Sequence, residues 1–466
     1  MRILLSAGLA MAMAAPVGAM ADTASDIKAL RDEMAAMRAA YEQRLQALEQ
    51  RLKAAETAAA TPAPTAAGST AVAAPQPAAP VTAAATAGAT PAGANAFNPS
   101  MSLILSGLYT RTSRDPVDYS LRGFQLPPGS DAGPGTRGLS LAETELGFSA
   151  NIDPWLRGAA NISVHPDDTI SVEEAYAQTT SLGNGFSVKA GRFFSGIGYL
   201  NEQHSHVWDF VDAPLAYQAF LGTQFGDDGV QVRWLAPTDL FLEAGAELGR
   251  GRSFPGDDNG RNGAGMSALY AHLGGDLGDS SSWRAGLSML NAKATAQALL
   301  ATDAAGAPVG NSFSGSTRVW VGDFVWKWAP NGNATRTNFK LQGEYLRSTR
   351  DGDLTYDVAG LDRAGAYRAS QSGWYLQGIY QFMPRWRVGL RTERLDSGST
   401  TSAANPAFAG IDYRPHKNSV MVDFSPSEFS RVRLQLARDY SRLGAADNQL
   451  FLQYQMSLGV HGAHNY

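Results

Sequence analysis

Leu450, Leu452, Tyr454, Met456, Leu458 and Val460 occupy every second position of one run, with Gln453, Gln455 and Ser457 between them. A period of two marks a strand whose two faces meet different surroundings. The same alternation recurs at 146–152, 240–248 and 432–436. From residue 97 onward no segment shows a long helical period, and none carries the ~20 apolar residues of a spanning helix. The chain is therefore expected to fold as many short strands.

What the second face carries narrows the choice further. Arg157, Glu243, Glu247, Asp323, Lys340, Glu344, Arg387, Arg391 and Asp423 all stand in mid-strand. A packed sandwich core does not take charge at that density, whereas a water-filled lumen does. Trp155, Trp234, Trp283, Trp326, Trp328 and Trp386 are six of the nine tryptophans, and they stand beside short turns with Phe382 and Phe424. That is the position of an interfacial aromatic girdle.

Connection length supplies the third constraint. Tight turns, rich in Gly, Pro, Asn and Ser, fall at 153–154, 182–185, 236–238, 278–280, 329–332, 383–384 and 425–427. Between them lie longer polar connections at 113–137, 192–229, 250–263, 291–315, 348–370, 396–415 and 441–448, with 165–168 as a short exception. Seven short turns alternating with about eight loops imply about sixteen strands. The fold class expected is all-β: a transmembrane antiparallel β-barrel, preceded by a short α-helical coiled coil.

The N-terminal part has three further pieces. Met1-Arg2, an apolar run to Ala15 and Ala19-Met20-Ala21 form a signal peptide over 1–21. Ile27, Leu30, Met34, Met37, Tyr41, Leu45, Leu48, Leu52 and Ala55 form a narrow apolar stripe between charged flanks. That stripe predicts a coiled coil over 22–56. Residues 57–96, almost wholly Ala, Thr, Pro and Gly, are expected to be a disordered linker. The barrel occupies 97–466. The chain has no Cys, so neither disulfides nor thiol chemistry is available.

The 192–229 stretch is too long and too rich in aromatic and polar groups for a simple connection, and loops of that kind are usually functional. It supplies Arg192, Glu202, His204, His206, Asp209 and Asp212 as candidates for a pore constriction. Lys189, Arg233, Arg387, Arg391 and Arg433 are candidates on the wall. Glu202-x-His204-x-His206 also offers three metal donors in close sequence, a weak signal. Among only seven His no nucleophile–base pair stands out, so no enzyme is expected. Neither a cofactor nor a nucleic-acid partner is expected.

Val172-Glu173-Glu174-Ala175-Tyr176, Lys189-Ala190-Gly191-Arg192-Phe193 and Asp228-Gly229-Val230-Gln231 resemble the phosphate-selective and related substrate-specific outer-membrane porins. A coiled coil before the barrel is similar to that of porins that trimerise through a periplasmic helix. The closing Tyr466 resembles the terminal aromatic of the barrel-assembly signal. Residues 200–210 and 457–464 resemble proteins labelled zinc-regulated TonB-dependent outer membrane receptors. The resemblance implies a homotrimer in outer-membrane lipid of a Gram-negative bacterium, with the coiled coil in the periplasm. It also implies that the 192–229 loop, between wall strands five and six, folds into the lumen and narrows it. The function expected is passive diffusion of small hydrophilic solutes or ions. The alternative is a TonB-linked or zinc-related receptor, a metal-binding barrel. A plugged barrel of about 22 strands would leave too little chain for these loops.

Overall fold

The computed structural model describes residues 99–142, 144–257, 262–303, 307–406 and 412–459. The expected signal peptide, coiled coil and linker lie outside the described residues, as do His461, His464 and Tyr466. The strands are β1 (Ser100–Thr112), β2 (Gly138–Leu141), β3 (Thr144–Asn151), β4 (Leu156–Val164), β5 (Ile170–Thr179), β6 (Phe186–Phe194), β7 (Gly226–Leu235), β8 (Phe241–Gly249) and β9 (Met266–Leu277). They continue as β10 (Ser281–Thr302), β11 (Pro308–Trp328), β12 (Asn338–Tyr356), β13 (Arg363–Met383), β14 (Trp386–Ser402), β15 (His416–Ser427), β16 (Ser430–Asp439) and β17 (Asp447–Gly459).

From β3 onward each strand pairs antiparallel with the next, and β1 pairs with β17, so the sheet closes on itself. Both β2 and β3 pair with β1 and share one place in the ring. The wall therefore has sixteen positions, matching the alternation of turns and loops.

The two faces separate as the sequence implies. Leu287, Trp320, Phe324, Tyr345, Trp374, Leu376, Tyr380 and Leu390 are exposed on the outer face. Glu243, Glu247, Asp323, Glu344, Arg391 and Asp423 point inward and are buried. Aromatic pairs line the short-turn end: Phe186 faces Trp234 with ring centroids 6.3 Å apart, and Trp386 faces Phe424 at 4.6 Å.

The wall is uneven in height. At about 3.3 Å per residue, the 22 residues of β10 reach about 70 Å, and the 9 residues of β4 about 30 Å. The expected long loops at 291–315 and 348–370 are mostly strand: residues 303–307 join β10 to β11, and 357–362 join β12 to β13. Ala, Ser, Thr and Gly dominate these tips and hide the alternation. Their outer face carries Lys293, Arg318, Arg347, Asp351 and Arg368 instead of aromatics. Their inner face carries Leu299, Phe313, Leu354 and Tyr367, all buried.

Those inner residues belong to one apolar cluster with Leu121, Phe124 and Leu126 of the β1–β2 loop and with Ile197, Tyr217, Phe220 and Phe225 of the β6–β7 loop. The β1–β2 loop also pairs Leu126 with Leu300 on the edge of β10 that extends past β9, covering an edge that would otherwise be open. Inside the tips of β10–β13 the barrel is therefore an apolar core rather than the charged interior expected from the sequence, with Arg350 as a buried exception, while buried charge reaches the long end of β15–β17 at Lys417, Asp439 and Asp447.

Candidate functional site

The connection between β6 and β7 is residues 195–225, between the fifth and sixth wall positions. It begins as a continued pair, with Ser195 N donating to Phe225 O at 3.1 Å. Asn201 ties this neck: its Nδ2 donates to the carbonyls of Ser195 and Phe225, and its Oδ1 accepts from Phe225 N, each at 2.8 Å. A short helix α1 (Leu215–Leu221) follows, ended by Gly222 at φ +63°. All seven of its residues are buried. A helix apolar on nearly every side belongs inside a core, and α1 packs against β12, β13 and β14.

The loop's partners place it inside the ring. Ser195 Oγ and Gly196 N donate to Glu247 of β8, at 2.6 and 2.8 Å. Leu200 N and Tyr217 Oη donate to Glu344 of β12, at 2.9 and 2.8 Å. Leu215 N donates to Glu393 of β14 at 2.6 Å. Val211 N donates to Gln435 of β16 at 2.8 Å, and the His206 carbonyl accepts from Gln455 of β17 at 3.1 Å. A segment bonded to inward side chains on opposite arcs of a closed sheet lies within it.

Charge is biased across this interior. Glu145, Glu173, Glu174, Glu243 and Glu247 stand on β3, β5 and β8 with Lys189 and Arg233 between them, while Lys340, Arg387, Arg391, Lys417, Arg431 and Arg433 outnumber Glu344, Glu393, Asp423 and Asp439 on β12 and β14–β16. The loop matches both arcs. Asp209 binds Arg387 Nη1 at 3.1 Å and pairs with Lys340. Asp212 binds Arg391 Nη2 at 2.7 Å and pairs with Lys417. On the other arc, His204 lies 3.2 Å from Glu173 and 3.0 Å from Glu174. Adjacent residues of a regular strand face opposite ways. A bulge puts both glutamates within reach: Asn161 opposes Glu174 and Ile162 opposes Val172, leaving Glu173 as the extra residue.

Burial alone would raise the Asp209 and Asp212 carboxyls, but Lys340 and Arg387 for the first, and Lys417 and Arg391 for the second, hold them well below the usual range. Burial pushes His204 down, yet the charge of Glu145 and hydrogen bonds to Glu145, Glu173 and Glu174 hold it well above an ordinary histidine. His206 is lowered, chiefly by burial, with Glu145 opposing.

Several expected site residues have different surroundings from those the sequence suggested. Arg192 binds Asp228 at 2.6 Å on the strand face opposite Lys189 and Phe193, so it points away from the lumen. Glu202 pairs with Arg233 and not with the histidines. Arg433 is buried, donating to Trp208 O at 2.8 Å. Lys189 lies over the Tyr176 ring, 4.6 Å from its centroid. Asn201, Glu145 and Glu393 escaped the sequence reading, because nothing in their local pattern names a partner far along the chain. Inward parity gave a signal for Glu344, but none for what it holds.

No family model matches the chain. A protein of Aquifex aeolicus (strain VF5), described as uncharacterized, is 29% identical over 393 residues, covering 79% of this chain and 80% of its own length. Among solved structures, the anion-selective porin from Comamonas acidovorans is similar at 11% identity and TM-score 0.47, over 77% of this chain and 99% of that one. The outer-membrane channel DcaP of Acinetobacter baumannii is similar at 12% identity and TM-score 0.44, over 78% and 96%.

Proposed function

We propose that the chain is a passive outer-membrane channel for small hydrophilic solutes or ions, narrowed by residues 195–225. The observation that carries this reading is the loop's bonding to inward residues on both arcs of the ring. The apolar outer face, the aromatic pairs at the short-turn end and the charged outer tips of β10–β13 support a hydrocarbon band around the lower wall. An excess of acids on β3, β5 and β8 and an excess of bases on β12 and β14–β16 produce a field across the passage, which low-dielectric walls focus.

On this reading Glu202, His204, His206, Asp209, Asp212, Lys189, Arg233, Arg387, Arg391 and Arg433 line or hold the constriction, and Arg192 does not. The chain works as a homotrimer, with 22–56 as a periplasmic coiled coil. The test is reconstitution of the purified protein in a planar bilayer under a salt gradient. Discrete conductance steps with a measurable ion preference support the channel. A protein that inserts without conducting, at any voltage that leaves the bilayer intact, would contradict it.

A further inference from the structure

The first half of the loop converges on a point that solute passage does not require. Glu145 Oε2 on β3 lies 3.2 Å from His204 Nδ1 and 3.1 Å from His206 Nδ1. The three donor atoms all lie within 4.8 Å of one another. Glu173 Oε2 is a fourth oxygen, 3.2 Å from the same His204 nitrogen. The two imidazoles stack with centroids 5.6 Å apart, so both Nδ1 atoms can address one centre.

Two imidazole nitrogens with a carboxylate oxygen suit a divalent ion of borderline softness. A tetrahedral ion with bonds of about 2.0–2.1 Å sets its donors about 3.3 Å apart, close to the 3.1 and 3.2 Å separations here. The surroundings of His204 fit as well. Its other nitrogen, Nε2, faces Glu174 Oε2 at 3.0 Å. A carboxylate behind a ligating imidazole fixes its tautomer and orientation. Three carboxylates around two imidazoles also concentrate negative charge where little water reaches, since Glu145 is 6% and His206 7% exposed. Such a group needs positive charge in its midst, from a protonated imidazole or from a bound ion.

We propose that Glu145, His204 and His206, with Glu173 as fourth donor, bind a divalent transition-metal ion such as zinc, which clamps the loop to β3. The sequence motif pointed to Glu202 as the carboxylate; the fold replaces it with Glu145. The proposal needs the folded barrel and is independent of conduction.

The test uses the full-length mature protein in detergent, stripped with a chelator and titrated with Zn²⁺ by calorimetry at neutral pH. One ion per chain is expected. Glu145→Gln and His206→Ala should each weaken binding at least tenfold, and His416→Ala should bind like the parent. Because a variant may fail to fold, X-ray absorption on the zinc-loaded parent gives a second readout, with imidazole scattering at about 2.0–2.1 Å expected. A parent that takes up no more zinc than His204→Ala/His206→Ala would overturn the proposal. So would zinc in the parent without imidazole ligands.

Discussion

Gly198 and Asn201 show how closely single residues fix the loop. Gly198 sits at φ +70°, and a Cβ there would lie 2.4 Å from Glu344 Oε2 and 2.8 Å from Tyr217 Oη. Gly198→Ala therefore has both a backbone penalty and a collision with a buried carboxylate. We expect a loss of about 1–3 kcal/mol, seen as a lower apparent Tm in detergent. Asn201→Ala removes three buried bonds at the neck and should cost about 1–3 kcal/mol, since two carbonyls and one amide lose a buried partner. A variant melting with the parent would show that the neck is not held this way. The aspartates carry a pH prediction. Their folded carboxyls lie below the unfolded value of about 3.9. The docking they contribute is thus full above that value and is lost only as pH falls through the depressed one. The difference in conductance between the parent and Asp209→Asn/Asp212→Asn should therefore stay constant from pH 7 to 4. A difference that shrinks between pH 5 and 4 would mean that these two groups titrate as ordinary carboxylates.

At the scale of elements, the loop is held at both ends by opposite charge. Asp209→Asn with Asp212→Asn leaves Arg387, Arg391, Lys340 and Lys417 with one acidic partner fewer each. The wall then presents more net positive charge to the passage. We expect a shift of ion preference towards anions, largest at low salt, where screening is weak. An unchanged reversal potential would remove these residues from the permeation path. The strands themselves were largely legible in the sequence, because period two, turn chemistry and inward charge agree from β3 to β9 and from β14 to β17. The tips of β10–β13 were not. Their inner face meets the β1–β2 loop rather than water and their outer face meets water rather than lipid, so neither face keeps the contrast that marks the lower wall. The in-folded loop came only from family resemblance. Its histidines and acids are visible in the sequence, but its short helix was not anticipated, and the direction of folding depends on partners on β12–β17, far along the chain.

For the whole molecule, the uneven wall and the two in-folded loops give a barrel with an apolar core inside the tall β10–β13 arc and mixed, unevenly distributed charge over the rest of its interior. Crosslinking of the full-length mature protein should return trimers, and deletion of 22–56 should weaken them. Recovery of monomers alone from the full-length protein would contradict that assembly. The measurement that bears most directly on the account is single-channel conductance after replacing residues 197–223 with a short Gly–Ser turn. The neck pair of Ser195 and Phe225 is retained, and no wall strand is altered. If the loop narrows the passage, the barrel still inserts, conductance rises at least twofold and ion preference weakens. Conductance equal to that of the parent, in a barrel shown to be folded, would contradict the central claim.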